Sequence, residues 1–230
     1  MSMNVGVPAI YVVIPACNEA AVVGEVVRRV RSKFSHVVVV DDGSSDETGA
    51  ICRAGGAAVV THLINRGQGA ALKTAIEYAL MQHADIVVTF DSDGQHRLED
   101  VDALLAPVLS GAVDVALGSR FLSADDRVPI GRKVILKLGV LFTRVVSRIR
   151  ITDTHNGLRA FSRKAAAQIQ FNQDRMAHAS EILDEIGRLK LRFCEVPVRI
   201  VYTEYSRQKG QRSLQAFRIV WDLLLGGRRR

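Results

Sequence analysis

A chain of 230 residues that is 48% hydrophobic and 24% charged has enough apolar material for a real core, which excludes disordered and fibrous classes. Its three cysteines, Cys17, Cys52 and Cys194, are scattered and lack Cys-x-x-Cys spacing, so a reducing cytoplasm is expected, without disulfides or structural zinc. The formal charge of +7 is concentrated, with seven Lys/Arg and no acid in 127–150 and eight against two acids in 199–230, which points to an anionic partner: polyphosphate or a membrane surface. No recognition-helix, zinc-finger or aromatic RNA-binding pattern is present, so nucleic acid is not an expected partner. A strand follows the first residues closely, leaving no room for a signal peptide. No window reaches the roughly 18 apolar residues of a membrane span.

Residues 9–14 are a continuous apolar run closed by Pro15, as expected of a strand covered on both faces. The loop Pro15-Ala16-Cys17-Asn18-Glu19 leads into an expected helix over 19–33, carried by Val22, Val23, Val26, Val27 and Val30. A second strand, 36–40, ends at Asp41-Asp42-Gly43-Ser44-Ser45-Asp46, and a short helix over 47–54 is stopped by Gly55-Gly56. The third strand is 57–61, and Asn65-Arg66-Gly67-Gln68-Gly69 opens an Ala-rich helix to about residue 81. Strands over 85–90 and 113–117 flank a helix over 99–109, and the fifth strand closes on Gly118-Ser119-Arg120. Strands alternating with helices in this way predict a parallel sheet of βαβ units. In such sheets ligands bind beyond the carboxyl ends of the strands, where the polar clusters at 15–19, 41–46, 91–96 and 118–120 all fall.

The sharpest of these clusters is Asp91-Ser92-Asp93-Gly94-Gln95-His96, at the tip of the fourth strand. Residues i and i+2 of an extended chain share a side, so Asp91 and Asp93 are expected to converge. Two like charges held together are costly unless a cation lies between them, and a hard divalent ion takes one or two carboxylates plus water and substrate phosphate. The competing reading is a polar loop in which Asp93 caps the next helix.

Beyond Arg120 the pattern changes. Residues 131–149 are strongly apolar but place Lys133, Lys137, Arg144 and Arg148 on one helical face, which fits either a helix at a membrane interface or a buried helix with a wet basic stripe. Asp153-Thr154-His155-Asn156-Gly157-Leu158-Arg159 reads as a polar loop entering a strand. A helix over 180–189, an alternating strand over 191–202, a basic loop over 203–213 and an amphipathic helix over 214–225 tipped by Arg228-Arg229-Arg230 complete the chain.

Taken together, Ile14-Pro15-Ala16-x-Asn18-Glu19, Val40-Asp41-Asp42-Gly43-Ser44-x-Asp46, Asn65-x-Gly67-x-Gly69, Asp91-x-Asp93-Gly94-Gln95-His96, Gly118-Ser119-Arg120 and Asp153-x-x-x-Gly157-x-Arg159 resemble an inverting family 2 glycosyltransferase. Within that family the sequence is most similar to dolichyl- or polyprenyl-phosphate hexose synthases, over residues 10–213. The resemblance implies a GT-A fold, an α/β architecture with a mostly parallel, Rossmann-like sheet flanked by helices. It also implies a donor half (1–120), an acceptor half (121–213) and a C-terminal basic amphipathic helix (214–230). By that resemblance Pro15, Ala16, Glu19, Asp42 and the backbone near Gly67 hold the nucleoside of a nucleoside-diphosphate sugar, and Asn18, Asp41, Gly69 and Ser119 also belong to the substrate-binding set. Asp91, Asp93 and Gln95 hold Mg²⁺ or Mn²⁺ against its diphosphate, a Lewis-acid role. Arg120 and Arg132 meet phosphate, and Arg207, Lys209 and Arg212 belong to a loop closing over the donor.

Asp93, Arg120 and Asp153 are the expected catalytic residues, with Asp153 either an orienting group or the base for a hydroxyl acceptor. The implied acceptor is a polyprenyl phosphate at the cytoplasmic membrane face, with peripheral contact through 131–149 and the C-terminal helix. A hydroxyl on a lipid-linked glycan is the alternative. The intact Asp91, Asp93 and Gln95 set argues against a non-catalytic nucleotide-binding module. His96 is expected to support the metal loop, while His36, His62, His83, His155 and His178 read as ordinary surface or loop histidines.

Overall fold

The computed structural model describes residues 7–122, 149, 151–170, 173 and 177–201. Most of the 131–149 segment, the basic loop with Arg207, Lys209 and Arg212, the terminal helix and Arg132 lie outside the described residues. In chain order the elements are β1 (Ile10–Ala16), α1 (Val23–Arg31), β2 (His36–Asp41), α2 (Thr48–Ala54), β3 (Ala58–Thr61), α3 (Gln68–Met81), β4 (Ile86–Thr89), α4 (Asp100–Leu109) and β5 (Val115–Ser119). After a 3₁₀ turn at Arg120–Leu122 follow β6 (Arg159–Ser162), α5 (Arg163–Gln168), α6 (His178–Arg188) and β7 (Phe193–Pro197).

The strands form one sheet in the order β3-β2-β1-β4-β6-β5-β7. Its apolar runs are continuous because each strand serves two cores. Tyr11, Val13, Val38, Val40, Val87, Val115, Leu117 and Phe161 pack beneath α3, α5 and α6, with Ala75, Ala79, Ile182 and Ile186. The alternate residues Val12, Ile14, Val37, Val39, Ile86, Val88, Ala116 and Ala160 meet α1 and α4 through Val23, Val27, Leu104 and Val108. Among the described residues no helix is long and apolar enough to cross a membrane.

The sheet is mostly parallel, as the resemblance implies: β6 runs antiparallel between β4 and β5, while β7 is parallel to β5. Two local expectations are corrected. α1 begins at Val23 rather than residue 19: Asn18 turns the chain at φ +53°, and residues 20–22 form a separate turn in which the Val22 amide donates to Glu19 O (3.0 Å). The Glu19 and Ala20 amides donate to Thr48 Oγ1 (2.8 Å) and Asp46 Oδ2 (3.2 Å), which ties 19–20 to the segment after β2. Strand β7 stops at Pro197, well short of residue 202, and α5 had no counterpart in the pattern. Six residues are too few for a helical period to declare itself.

Reversal of β6 brings its start, not its end, to the carboxyl-end rim of the parallel strands, so the 153–158 loop joins the loops after β1, β2, β4 and β5. Phe161 is 2% exposed in the middle of β6. Phe161→Ala is expected to cost about 3–5 kcal/mol in urea denaturation, with the slope unchanged.

Candidate functional site

The rim is built from carboxylates, each held differently. Asp42, 2% exposed, follows the tip of β2, where its own amide donates to Ala16 O (2.8 Å) and stitches β2 to β1. Its Oδ1 accepts from His62 Nδ1 (2.7 Å) and the Arg66 amide (2.9 Å), and its Oδ2 from the Gly67 amide (2.7 Å). His62 in turn meets Thr74 Oγ1 at 3.0 Å through Nε2. Asp42 is thus the anchor of the 65–67 loop, with Gly67 at φ +105°, a conformation that favours glycine. Asp41 accepts the Ser44 amide (3.1 Å), and Asn18 Oδ1 accepts the Ser45 amide (2.8 Å). Pro15 and Ala16 end β1 opposite Val40 and Asp41, and Gly69 is buried in the first turn of α3.

At the centre, β4 ends at Thr89 and residues 92–94 turn, so Asp91 and Asp93 approach through a turn rather than by strand pleat. They are close enough to interact. Lost solvation pushes the Asp93 carboxyl up, and the neighbouring Asp91 charge adds to this, with Glu19 acting in the same sense. Burial alone would raise Asp91 too, yet it lies below the ordinary carboxylate value because His96, His178 and Arg159 surround it with positive potential. His96, 3% exposed, meets Asp91 Oδ2 through Nε2 at 2.8 Å. Gly157 lies directly against the Asp91 carboxylate, where a Cβ would collide with Oδ2. Gln95 donates its amide to Asp93 Oδ1 (3.0 Å) and accepts from the Val201 amide (2.9 Å).

On the other side, Asp153 is 4% exposed and takes Arg120 Nε at 2.7 Å on Oδ2 and Nη2 at 2.7 Å on Oδ1, with the Arg120 amide at 3.1 Å. Burial works to raise its pKa, but this two-pronged ion pair outweighs it and holds the carboxyl below its ordinary value. Beneath it Glu195 of β7 accepts the Thr152 amide (2.8 Å), the Thr152 hydroxyl (2.8 Å) and the Asp153 amide (3.2 Å). Ser119 Oγ lies 2.6 Å from Thr152 Oγ1. Arg159 is buried, its pKa brought down to about 10 by lost solvation against the pull of Asp91 and Asp153. It reaches the carbonyls of Asn156 (3.1 Å), Thr154 (3.4 Å) and Ala179 (3.4 Å) and so fixes the 153–158 loop from below.

The rim therefore gathers Pro15, Ala16, Asn18, Glu19, Asp41, Asp42, Gly67, Gly69, Asp91, Asp93, Gln95, Ser119, Arg120 and Asp153. Two histidines are corrected: the His62 side chain is 8% exposed in its pair with Asp42, and His178 is 6% exposed near Asp91. His36 and His83 are exposed, as expected. Glu195 and His62 escaped the sequence reading. The one available signal for Glu195 was a lone carboxylate inside an apolar strand.

Asp153→Asn is expected to cost about 3–5 kcal/mol at neutral pH, since it strands a largely buried guanidinium. The folded-state pKa of Asp153 is depressed, so the wild-type contribution is complete above the ordinary carboxylate value and is lost as pH falls through the lowered one. Urea denaturation of both proteins over pH 3–7 should show the gap closing only at that acidic end.

Residues 11–170 match the family model described as glycosyl transferase family 2. The UDP-N-acetylglucosamine–dolichyl-phosphate N-acetylglucosaminyltransferase of Methanococcus voltae is 32% identical over 94% of this chain and 95% of its own length. The polyprenol monophosphomannose synthase of Mycolicibacterium smegmatis is 31% identical over 84% of this chain and 77% of its own. Among solved structures, glucosyl-3-phosphoglycerate synthase from Mycobacterium tuberculosis with Mn²⁺, UDP-glucose and phosphoglyceric acid has a TM-score of 0.69 at 21% identity, over 94% of this chain and 79% of that one. That likeness is one of fold, the GT-A architecture. With its six motifs on one rim of that fold, the chain belongs to glycosyl transferase family 2 and is a glycosyltransferase.

Proposed function

We propose that this enzyme moves a hexose from a nucleoside-diphosphate sugar, of the GDP-mannose or UDP-glucose type, to a polyprenyl or dolichyl phosphate at the cytoplasmic membrane face, inverting the anomeric carbon. The observation that carries this reading is the Arg120–Asp153 ion pair. A sugar-hydroxyl acceptor needs a base to take its proton, and a carboxylate locked to a guanidinium with its pKa lowered is poorly suited to that work. A phosphate monoester is largely ionised at neutral pH and attacks without a base. It needs cations to hold it, and Arg120 is already oriented for that by Asp153 and Glu195. The relatives named for dolichyl and polyprenol acceptors support the same choice.

In this mechanism the acceptor oxygen bonds to the anomeric carbon from the face opposite the departing diphosphate, whose bond to that carbon breaks with both electrons. Pro15, Ala16, Asn18, Glu19, Asp41, Asp42, Gly67 and Gly69 surround the nucleoside. Arg120 and Ser119 border the reacting phosphates, joined by Arg132 and by the closing loop of Arg207, Lys209 and Arg212.

The residues at the β4 tip suit a divalent cation. Asp93 is pushed up first by lost solvation and then by the charges of Asp91 and Glu19, and a cation would relieve the charge repulsion. Among the described residues no cluster of three or more His, Cys, Asp or Glu side chains could hold a metal. Two carboxylates completed by water and substrate phosphate are what Mg²⁺ ordinarily accepts, and Mn²⁺ suits similar oxygen ligands. Asp91, Asp93 and Gln95 would hold it, and when bound it neutralises charge on the leaving diphosphate.

Two measurements test this reading. Thermal shifts with UDP-, GDP- and dTDP-sugars should show stabilisation by one donor only with Mn²⁺ or Mg²⁺ present. It should reach about 2.7 kcal/mol at a hundredfold excess over Kd, and Asp93→Asn should abolish it. Labelled sugar should then pass to polyprenyl phosphate in detergent. Transfer to a glycan hydroxyl but not to the lipid phosphate would overturn the acceptor assignment.

A further inference from the structure

The loop joining β3 to α3 displays two adjacent aliphatic side chains with almost no cover: Leu63 is 101% and Ile64 71% exposed. Its ends are fixed. The His62 amide donates to Asp41 O (2.9 Å), and the Arg66 and Gly67 amides donate to Asp42. Its middle is fixed as well, because the Ile64 backbone rests on Gly43, where a Cβ would lie 2.5 Å from Ile64 C and from Asn65 N. Asn65 Nδ2 reaches Cys17 Sγ at 3.0 Å. With its backbone pressed onto Gly43 the loop cannot turn its side chains inward, so Leu63 and Ile64 are held in the open.

The tip lies on the site's rim, beyond the carboxyl end of edge strand β3. Leu122, 44% exposed, follows β5 on the far side of that rim, and Val201, 45% exposed, lies nearer its centre, where its amide donates to Gln95 O (2.9 Å). Five strand steps separate β3 from β5, about 24 Å at the usual spacing. Aliphatic groups thus flank the acid-lined centre on both sides. Exposed Arg53, bonded to Thr61 Oγ1 (3.0 Å), and exposed Arg66 border the tip, while exposed Asp46 and Glu47 lie in the adjoining loop after β2. The chain leaves the far side of the rim at Leu122 and is back at Ile151, and the intervening residues 123–150 have seven Lys/Arg against two acids, Asp125 and Asp126.

We infer that the carboxyl-end rim rests on an anionic lipid surface, with Leu63 and Ile64 inserted among the acyl chains as a second anchor on the donor side. This rests on the lipid-phosphate acceptor proposed above, and it explains why a rigid loop carries bare aliphatic residues beside a polar site. Bare aliphatics gain by leaving water, and arginines beside them gain from anionic headgroups, so the two contributions act together.

The test uses the full chain with vesicles of phosphatidylcholine containing phosphatidylglycerol. Leu63→Ser/Ile64→Ser should lower vesicle partitioning about tenfold while leaving the melting temperature and the donor-induced thermal shift unchanged. Leu63→Trp should add a fluorescence component that shifts to the blue on vesicles and not in buffer. Partitioning unaffected by the double substitution would overturn the inference, as would a dimer in sedimentation that the substitution dissolves, which would make the occupant a second copy of this chain. Transfer to polyprenyl phosphate in detergent separates the two claims. If transfer fails while vesicle binding still depends on the tip, the acceptor reading falls and the anchor stands. If transfer succeeds while binding ignores the tip, only the anchor falls.

Discussion

Negative charge gathered along one edge of a sheet is the constraint on which this molecule depends. Asp41, Asp42, Asp91, Asp93 and Asp153 all stand at or just beyond that edge, and a low-dielectric interior makes each costly to ionise without a partner. The protein answers acid by acid. Asp42 is wrapped by one imidazole and two backbone amides. Asp153 is locked to a guanidinium. Asp91 has His96 in contact and Arg159 and His178 behind it. Asp93 is treated differently: the Gln95 amide bonds it and His96 offsets part of its charge, yet lost solvation and the charges of Asp91 and Glu19 still push it up. That carboxyl belongs to the Asp-x-Asp pair proposed to hold a cation, so the shortfall sits where a ligand would make it good.

The Arg120–Asp153 pair shows how magnitude separates two roles. A buried ion pair contributes little net stability over an apolar replacement, yet losing one partner is expensive. Such a pair is therefore weak as a stabilising device and strong as a geometric one. Here the geometry is reinforced from below, since Glu195 holds the Thr152 and Asp153 amides and Ser119 closes on the Thr152 hydroxyl. Three strand ends thus converge on the direction of one guanidinium. For a phosphate acceptor that direction matters more than the availability of a base.

Much of this was legible in the sequence because it is local. Valine runs such as 37–40 declare buried strands, and the Asp, Gly and Asn clusters that close them declare the rim. What escaped is what depends on distant segments meeting. His62 looks like loop polarity until Asp42, twenty residues earlier, is seen to need a donor and Thr74 is seen to complete the chain. Glu195 meets residues more than forty positions away. Periodicity reports which face of an element is covered, and it carries no information about which carboxylate a buried donor will find.

The reversed strand is the deepest of these non-local facts. Pairing alternates the same way in parallel and antiparallel strands, so the pattern of residues 159–162 could not give the direction of β6. Function requires the direction found. Were β6 parallel, the loop before it would emerge at the opposite edge, about 13 Å away for a four-residue strand. Asp153 would then be out of reach of Arg120, and Gly157 of Asp91. Running backwards, β6 delivers its preceding loop to the acids at the β4 tip, where Gly157 has no Cβ to collide with Asp91. Arg159, the first residue of that strand, arrives beneath the two carboxylates whose charge it offsets. One antiparallel insertion is what lets the two halves of the chain share a single site.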